Sequence, residues 1–132
     1  MLIQGFDTSG SILLYFHCFG NMNTSSAVDS LSALAQETRL NIFRLLVQNA
    51  PKGLPAGEIA RRLKLPGPTL SFHLNILAAT QLIEPQRNGR SISYSTNFQN
   101  VNRLMNYLME NCCGGQGCTI DVTRLSGISR NK

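Results

Sequence analysis

The tetrapeptide Leu65-Pro66-Gly67-Pro68 constrains this chain more than any other stretch. Two prolines and a glycine in four residues make a turn, and a helical pattern lies on each side of it. Before it, Ile59, Ala60 and Leu63 recur at helical spacing within Leu54 to Leu63. After it, Leu70, Leu74 and Leu77 form an i, i+4, i+7 apolar stripe. Pro68 suits the first position of the second helix, where a missing N–H costs nothing. Two short helices joined so tightly make a helix-turn-helix.

The flanking sequence completes the unit. Downstream of Leu82-Ile83, Asn88-Gly89 lies between Gln86-Arg87 and Arg90-Ser91-Ile92-Ser93-Tyr94. Asn-Gly is a strong signal for a two-residue hairpin turn with positive φ at both positions. Pro85 is compatible with an edge strand. Upstream, one helix is expected from Ser26 to Ala35, capped by Ser25 or Ser26. A second runs from about Glu37 to Gln48 and is broken at Pro51-Lys52-Gly53. Val101, Leu104, Met105, Leu108 and Met109 give a last apolar helical face, expected to run into Cys112 and end at Gly114-Gly115.

The expected fold is therefore mainly α with a small β-hairpin, a winged helix-turn-helix spanning residues 26–113. Residues 1–25 form an N-terminal extension and 114–132 a cysteine-containing tail. Residues 1–21 show no helical period, and Met22 opens the patterned region. Two readings stay open: Met22 as the true start, or 1–21 as a genuine arm. The 132-residue chain suffices for one compact domain. No apolar run approaches the ~18 residues of a membrane-spanning helix. Ile12 to Phe19 lacks the flanks of a signal peptide, so the cytoplasm is expected, where thiols stay reduced.

The net charge of +5 is compatible with nucleic acid, though many solvated surfaces match it. The second helix of the pair carries the sharper signal. With its leucines turned inward, Pro68, Ser71, Phe72 and Asn75 face out, flanked by Thr69 and His73. Asn reads adenine with two hydrogen bonds, Ser and Thr reach bases or phosphates, and an aromatic ring can meet a thymine methyl. Phe72 packing on the wing, and His73 capping or packing at the surface, are the plain structural alternatives. Arg87 and Arg90 at the wing tip suit phosphate or a minor groove, or simply solubility. Arg61, Arg62 and Lys64 are further candidates for backbone contact, or a solvated helix face.

Three segments now carry a resemblance. Ala35-Gln36-Glu37-Thr38-Arg39-Leu40-Asn41-Ile42-Phe43-Arg44-Leu45-Leu46 resembles the opening signature of the ArsR/SmtB family of metal-responsive repressors. Gly67-Pro68-Thr69-Leu70-Ser71-Phe72-His73-Leu74-Asn75-Ile76-Leu77 resembles its recognition helix, and Arg87 to Tyr94 its wing. The likeness covers roughly residues 27–113. It implies a homodimer paired through its first and last helices, gripping double-stranded operator DNA at an imperfect palindrome when metal-free.

The sensing site is expected in the run Asn111-Cys112-Cys113-Gly114-Gly115-Gln116-Gly117-Cys118. The family's third-helix cysteine pair would fall near Leu54 to Ile59, where there is none. Its last-helix zinc set is also missing, because Gln99 to Glu110 offers only Glu110. Cys112, Cys113 and Cys118 resemble an arsenic-responsive subgroup with ligands at the end of the last helix, whose third cysteine stands one residue further on. Trivalent arsenic or antimony favours three thiolates, and soft ligands select soft ions. Adjacent helical residues point ~100° apart, so the helix end must unwind for Cys112 and Cys113 to share one ion. Gly114, Gly115 and Gly117 make that deformation easy.

Other readings stay open. A redox or reactive-sulfur sensor could close Cys113 to Cys118. A two-thiol site could take a monomethyl arsenical. A thiol enzyme such as an arsenate reductase would need a base or a phosphate-cradling loop, and neither stands near a cysteine. A winged helix used only for protein contacts would leave the cysteines incidental.

Overall fold

The computed structural model describes residues 22–110. The element order is α1 (Thr24–Leu34), α2 (Glu37–Gln48), β1 (Leu54–Pro55), α3 (Ala56–Leu63), α4 (Gly67–Ala79), β2 (Ile83–Asn88), β3 (Ser91–Thr96) and α5 (Phe98–Leu108). This is the winged helix-turn-helix expected from the pattern, with α3 and α4 as the pair and β2–β3 as the wing. Residues 1–21 of the expected extension 1–25, and residues 111–132, which include the whole expected tail 114–132, lie outside the described residues, and with them Cys18, Cys112, Cys113 and Cys118.

Four details differ from the sequence expectation, each for a local reason. First, α1 starts two residues earlier than expected. Its cap is Asn23, whose side-chain oxygen accepts from the Ser26 N–H at 2.8 Å. Asn, Ser and Thr all cap well, so the run Asn-Thr-Ser-Ser offered several starts. Second, Leu54–Pro55 is a strand rather than a helical turn. It pairs antiparallel with β3, Leu54 opposite Tyr94, and the sheet order is β1-β3-β2. Pro85 therefore sits on an edge strand, where no ladder donor is missed.

Third, the hairpin register pairs Asn88 with Ser91. The two-residue loop is thus Gly89-Arg90, and Gly89 has φ +63° while Asn88 is part of the ladder. Glycine first in a two-residue loop suits a II′-type turn, which needs only that one positive φ. Fourth, α5 ends at Leu108 and is capped by Met109, before the cysteines.

The core follows from the apolar stripes. Ile42 and Leu46 from α2, Ile59 from α3, Leu70, Leu74 and Leu77 from α4, then Leu82 and Ile83 are all essentially inaccessible. They pack where α2, α3, α4 and the root of the wing converge. Gly53 makes the entry to β1 possible. It holds φ +76°, and a Cβ there would collide with the Tyr94 carbonyl oxygen on β3.

Candidate nucleic-acid interface

The recognition helix α4 is anchored by one face and bare on the other. Leu70, Leu74 and Leu77 are buried, while Pro68, Thr69, Ser71, Phe72 and Asn75 are exposed. Phe72 keeps 55% of its surface open, more than any other large hydrophobic described. Its ring meets that of its neighbour His73 edge-on, centroids 5.3 Å apart. Helix periodicity explains the split, since the polar residues fall between the leucines at positions that cannot face the core.

His73 differs from its neighbours. It is half-buried, and Arg39 Nη1 donates to its Nδ1 at 3.5 Å. That bond uses the ring nitrogen as acceptor, which leaves Nε2 to carry the proton. Arg39 also donates from Nε to the Ala33 carbonyl at 2.6 Å. One guanidinium thus ties the last turn of α1 to the middle of α4. The Arg39 backbone N–H donates to Gln36 Oε1 at 2.9 Å, the cap of α2. Only its place in the α2 signature marked Arg39 in sequence.

On α3, two of the three predicted basic residues share a counter-ion. Glu58 accepts from Arg61 at 2.6 and 3.0 Å and from Arg62 at 2.6 Å. Spacings of three and four residues place all three on one helical face. The bonds from Arg61, then Arg62, pull the Glu58 carboxyl from 4.5 down to about 2. Glu58 also raises the Arg61 guanidinium above its ordinary range. Lys64 has the left-handed conformation that ends α3, with φ 55°. Its N–H bonds the Ala60 carbonyl, so its backbone shapes the turn.

The wing carries Arg87 on β2 and Arg90 in the loop, both exposed. Ser91 Oγ donates to the Asn88 carbonyl at 3.3 Å and steadies the tip. The helix face, the α3 arginines and the wing arginines supply the positive and hydrogen-bonding groups that DNA recognition uses.

Asn100 was not foreseen. It is buried, and its amide donates to the Thr80 carbonyl at 3.0 Å. Thr80 is the C-cap of α4, so this bond joins the recognition helix to α5. Its only sequence trace is Asn97 three residues before, which caps α5 by accepting from the Asn100 N–H at 3.1 Å.

Among the described residues, no three His, Cys, Asp or Glu side chains gather as they would around a metal ion. Among them also, no helix is long and apolar enough to cross a membrane.

A family model described as a helix-turn-helix domain matches residues 34–86, from the end of α1 into β2. The chain is 34% identical over 82 residues to the transcriptional repressor SdpR of Bacillus subtilis, covering 58% of this chain and 86% of that protein. It is 31% identical over 91 residues to the transcriptional activator HlyU of Vibrio cholerae, 69% of this chain and 82% of that one. A solved HlyU structure superposes with TM-score 0.56 at 30% identity, over 70% of this chain and 98% of its own. An ArsR-like transcriptional regulator from Rhodococcus gives TM-score 0.56 at 28% identity, covering 64% and 76%.

Proposed function

The chain belongs to the ArsR-type family of winged helix-turn-helix transcriptional regulators, and from that premise we propose that it is a cytoplasmic, arsenic(III)- or antimony(III)-responsive repressor. Metal-free, it binds double-stranded operator DNA as a homodimer. It lets go when Cys112, Cys113 and Cys118 bind the metalloid.

The observation that carries the DNA half is the bare face of α4. Phe72 sits 55% exposed amid Thr69, Ser71 and Asn75, with Arg87 and Arg90 beyond it on the wing. Leaving a phenylalanine in water is unfavourable, and contact with a thymine methyl would cover it. The homodimer is supported by a second bare surface. Val28 and Leu31 on α1 and Leu108 and Met109 at the end of α5 are all exposed. The two helices are already neighbours, sharing a 2.7 Å hydrogen bond between Thr24 Oγ1 and Tyr107 Oη. A second copy would bury both sets together.

The thiol half rests on donor chemistry. Three cysteine sulfurs within seven residues, among glycines, suit a three-coordinate soft ion better than zinc, which usually takes four ligands. An ion that prefers a dimer shape poor in DNA contact lowers operator affinity by linkage, ~5- to 150-fold for ordinary couplings.

The relatives are transcriptional regulators, which favours regulation over thiol catalysis. A second reading is thiol oxidation, favoured by one matched structure described as reduced HlyU, at 31% identity and TM-score 0.55. Fluorescence anisotropy on upstream DNA separates the two. Under full reduction, arsenite or antimonite should release the DNA while zinc does not. Release that needs an oxidant and ignores arsenite would establish the second reading instead.

A further inference from the structure

A cavity of about 660 Å³ opens between α1, the end of α4 and α5. Ser26, Asp29, Arg39, Thr80, Asn100 and Arg103 are among its lining residues. Arg39 is occupied, bonded to the Ala33 carbonyl and to His73. Arg103 is not: its Nε is buried, and no acceptor among the described residues meets it. The group keeps its charge, and the side chain, part-buried as a whole, lines the cavity, so an acceptor from elsewhere would meet its remaining nitrogens there. Asp29 is the sole acidic residue of the wall, and it is exposed and forms no ion pair with either arginine among the described residues.

Around α1, Leu31 lies ~160° from Asp29, and around α5, Leu108 lies ~140° from Arg103, so these apolar residues and these two lining residues fall on different helix faces. The cavity also borders the joint between the DNA-reading helix and α5, because Thr80 and Asn100, which share the 3.0 Å bond, both line it.

We infer that this cavity binds a small organic carboxylate, gripped by the Arg103 guanidinium, at a site separate from the thiols. The planar fork of Arg matches a carboxylate with two parallel hydrogen bonds. A space of this size accepts small metabolites. The exposed Asp29 carboxylate disfavours polyanions and suits a ligand whose other end is neutral or cationic. The shared chemistry is one carboxylate, whether it comes from an α-amino acid or from an amino-free acid.

The test is thermal unfolding of the full chain, kept reduced, with L-alanine, L-leucine and L-phenylalanine, their amino-free acids and their amides. At about 10 mM and constant ionic strength, a carboxylate that binds only the folded state raises the melting midpoint. At least one acid should do so by a few degrees, and its amide should not. Arg103→Gln should remove the shift while circular dichroism stays native, and Arg103→Lys should keep part of it. A shift restricted to amino acids assigns the ammonium to Asp29, and an equal shift with amino-free acids assigns the carboxylate alone. Hydrogen exchange should slow at the end of α4 and the start of α5. No shift with any acid, an equal shift in Arg103→Gln, or protection elsewhere overturns the inference. None of these readouts depends on arsenite or on DNA, so the outcome is independent of the thiol reading.

Discussion

Single residues decide where this fold is brittle and where it is adjustable. Gly53 holds φ +76° against the backbone of β3, so Gly53→Ala meets both a strained conformation and the Tyr94 carbonyl. The substitution should cost at least about 2 kcal/mol, read as an earlier midpoint in urea unfolding. Wild-type stability in Gly53→Ala would show that the β1 entry can relax. Glu58 is adjustable. Its carboxyl ionises more readily in the folded chain, at about 2 rather than 4.5. The stabilisation it brings is therefore complete above 4.5 and fades as pH falls toward 2. Glu58→Gln should melt slightly below wild type at neutral pH, and the gap should close over that acid range. A gap that persists there would remove the ion pairs as its cause. Residue identity was legible in sequence where it marked a type, as with Phe72 and the two wing arginines. It was not legible where a role depends on a distant partner. Arg39 reaches His73 and Asn100 reaches Thr80 across 34 and 20 residues, and neither separation leaves a pattern.

Among the elements, long amphipathic helices were read well. The expected span of α2 coincides with the observed one, and α4 begins within a residue of Pro68, because each has a clear stripe and a proline or cap at its boundary. Short elements were not. β1 is two residues long, too short for any period, and exists only because β3 pairs with it. The wing was placed correctly, but its turn moved by one residue because a single positive φ at Gly89 suffices. The recognition helix yields the sharpest prediction at this scale. Phe72→Ala removes an exposed side chain, so stability should stay within about 0.5 kcal/mol of wild type. Operator affinity should drop several-fold, measured by anisotropy at fixed salt. Unchanged affinity would take Phe72 out of the interface and leave its exposure without an account.

For the molecule as a whole, the proposed function assigns DNA to α4 with the wing and the second copy to α1 with the end of α5. Leu31→Glu with Leu108→Glu should convert a dimer into a folded monomer in analytical ultracentrifugation. Operator binding should fall with it, because two separate monomers lose the effective concentration that the dimer gives the second half-site. A dimer that survives both substitutions would move the interface elsewhere, for instance to Leu40 and Val47, which are also exposed on α2. The fold class was visible in the helix-turn-helix pattern and the wing, since both are local in sequence. The proposed sensing site rests on donor chemistry alone, because its residues lie beyond Glu110, outside the described residues. One comparison tests the central claim most directly: release of operator DNA by arsenite, under full reduction, for wild type and for a variant with Cys112, Cys113 and Cys118 all changed to Ser. Wild type should dissociate at least ~5-fold more readily with arsenite, and the variant should hold its DNA at every dose. Equal release from both would contradict the account.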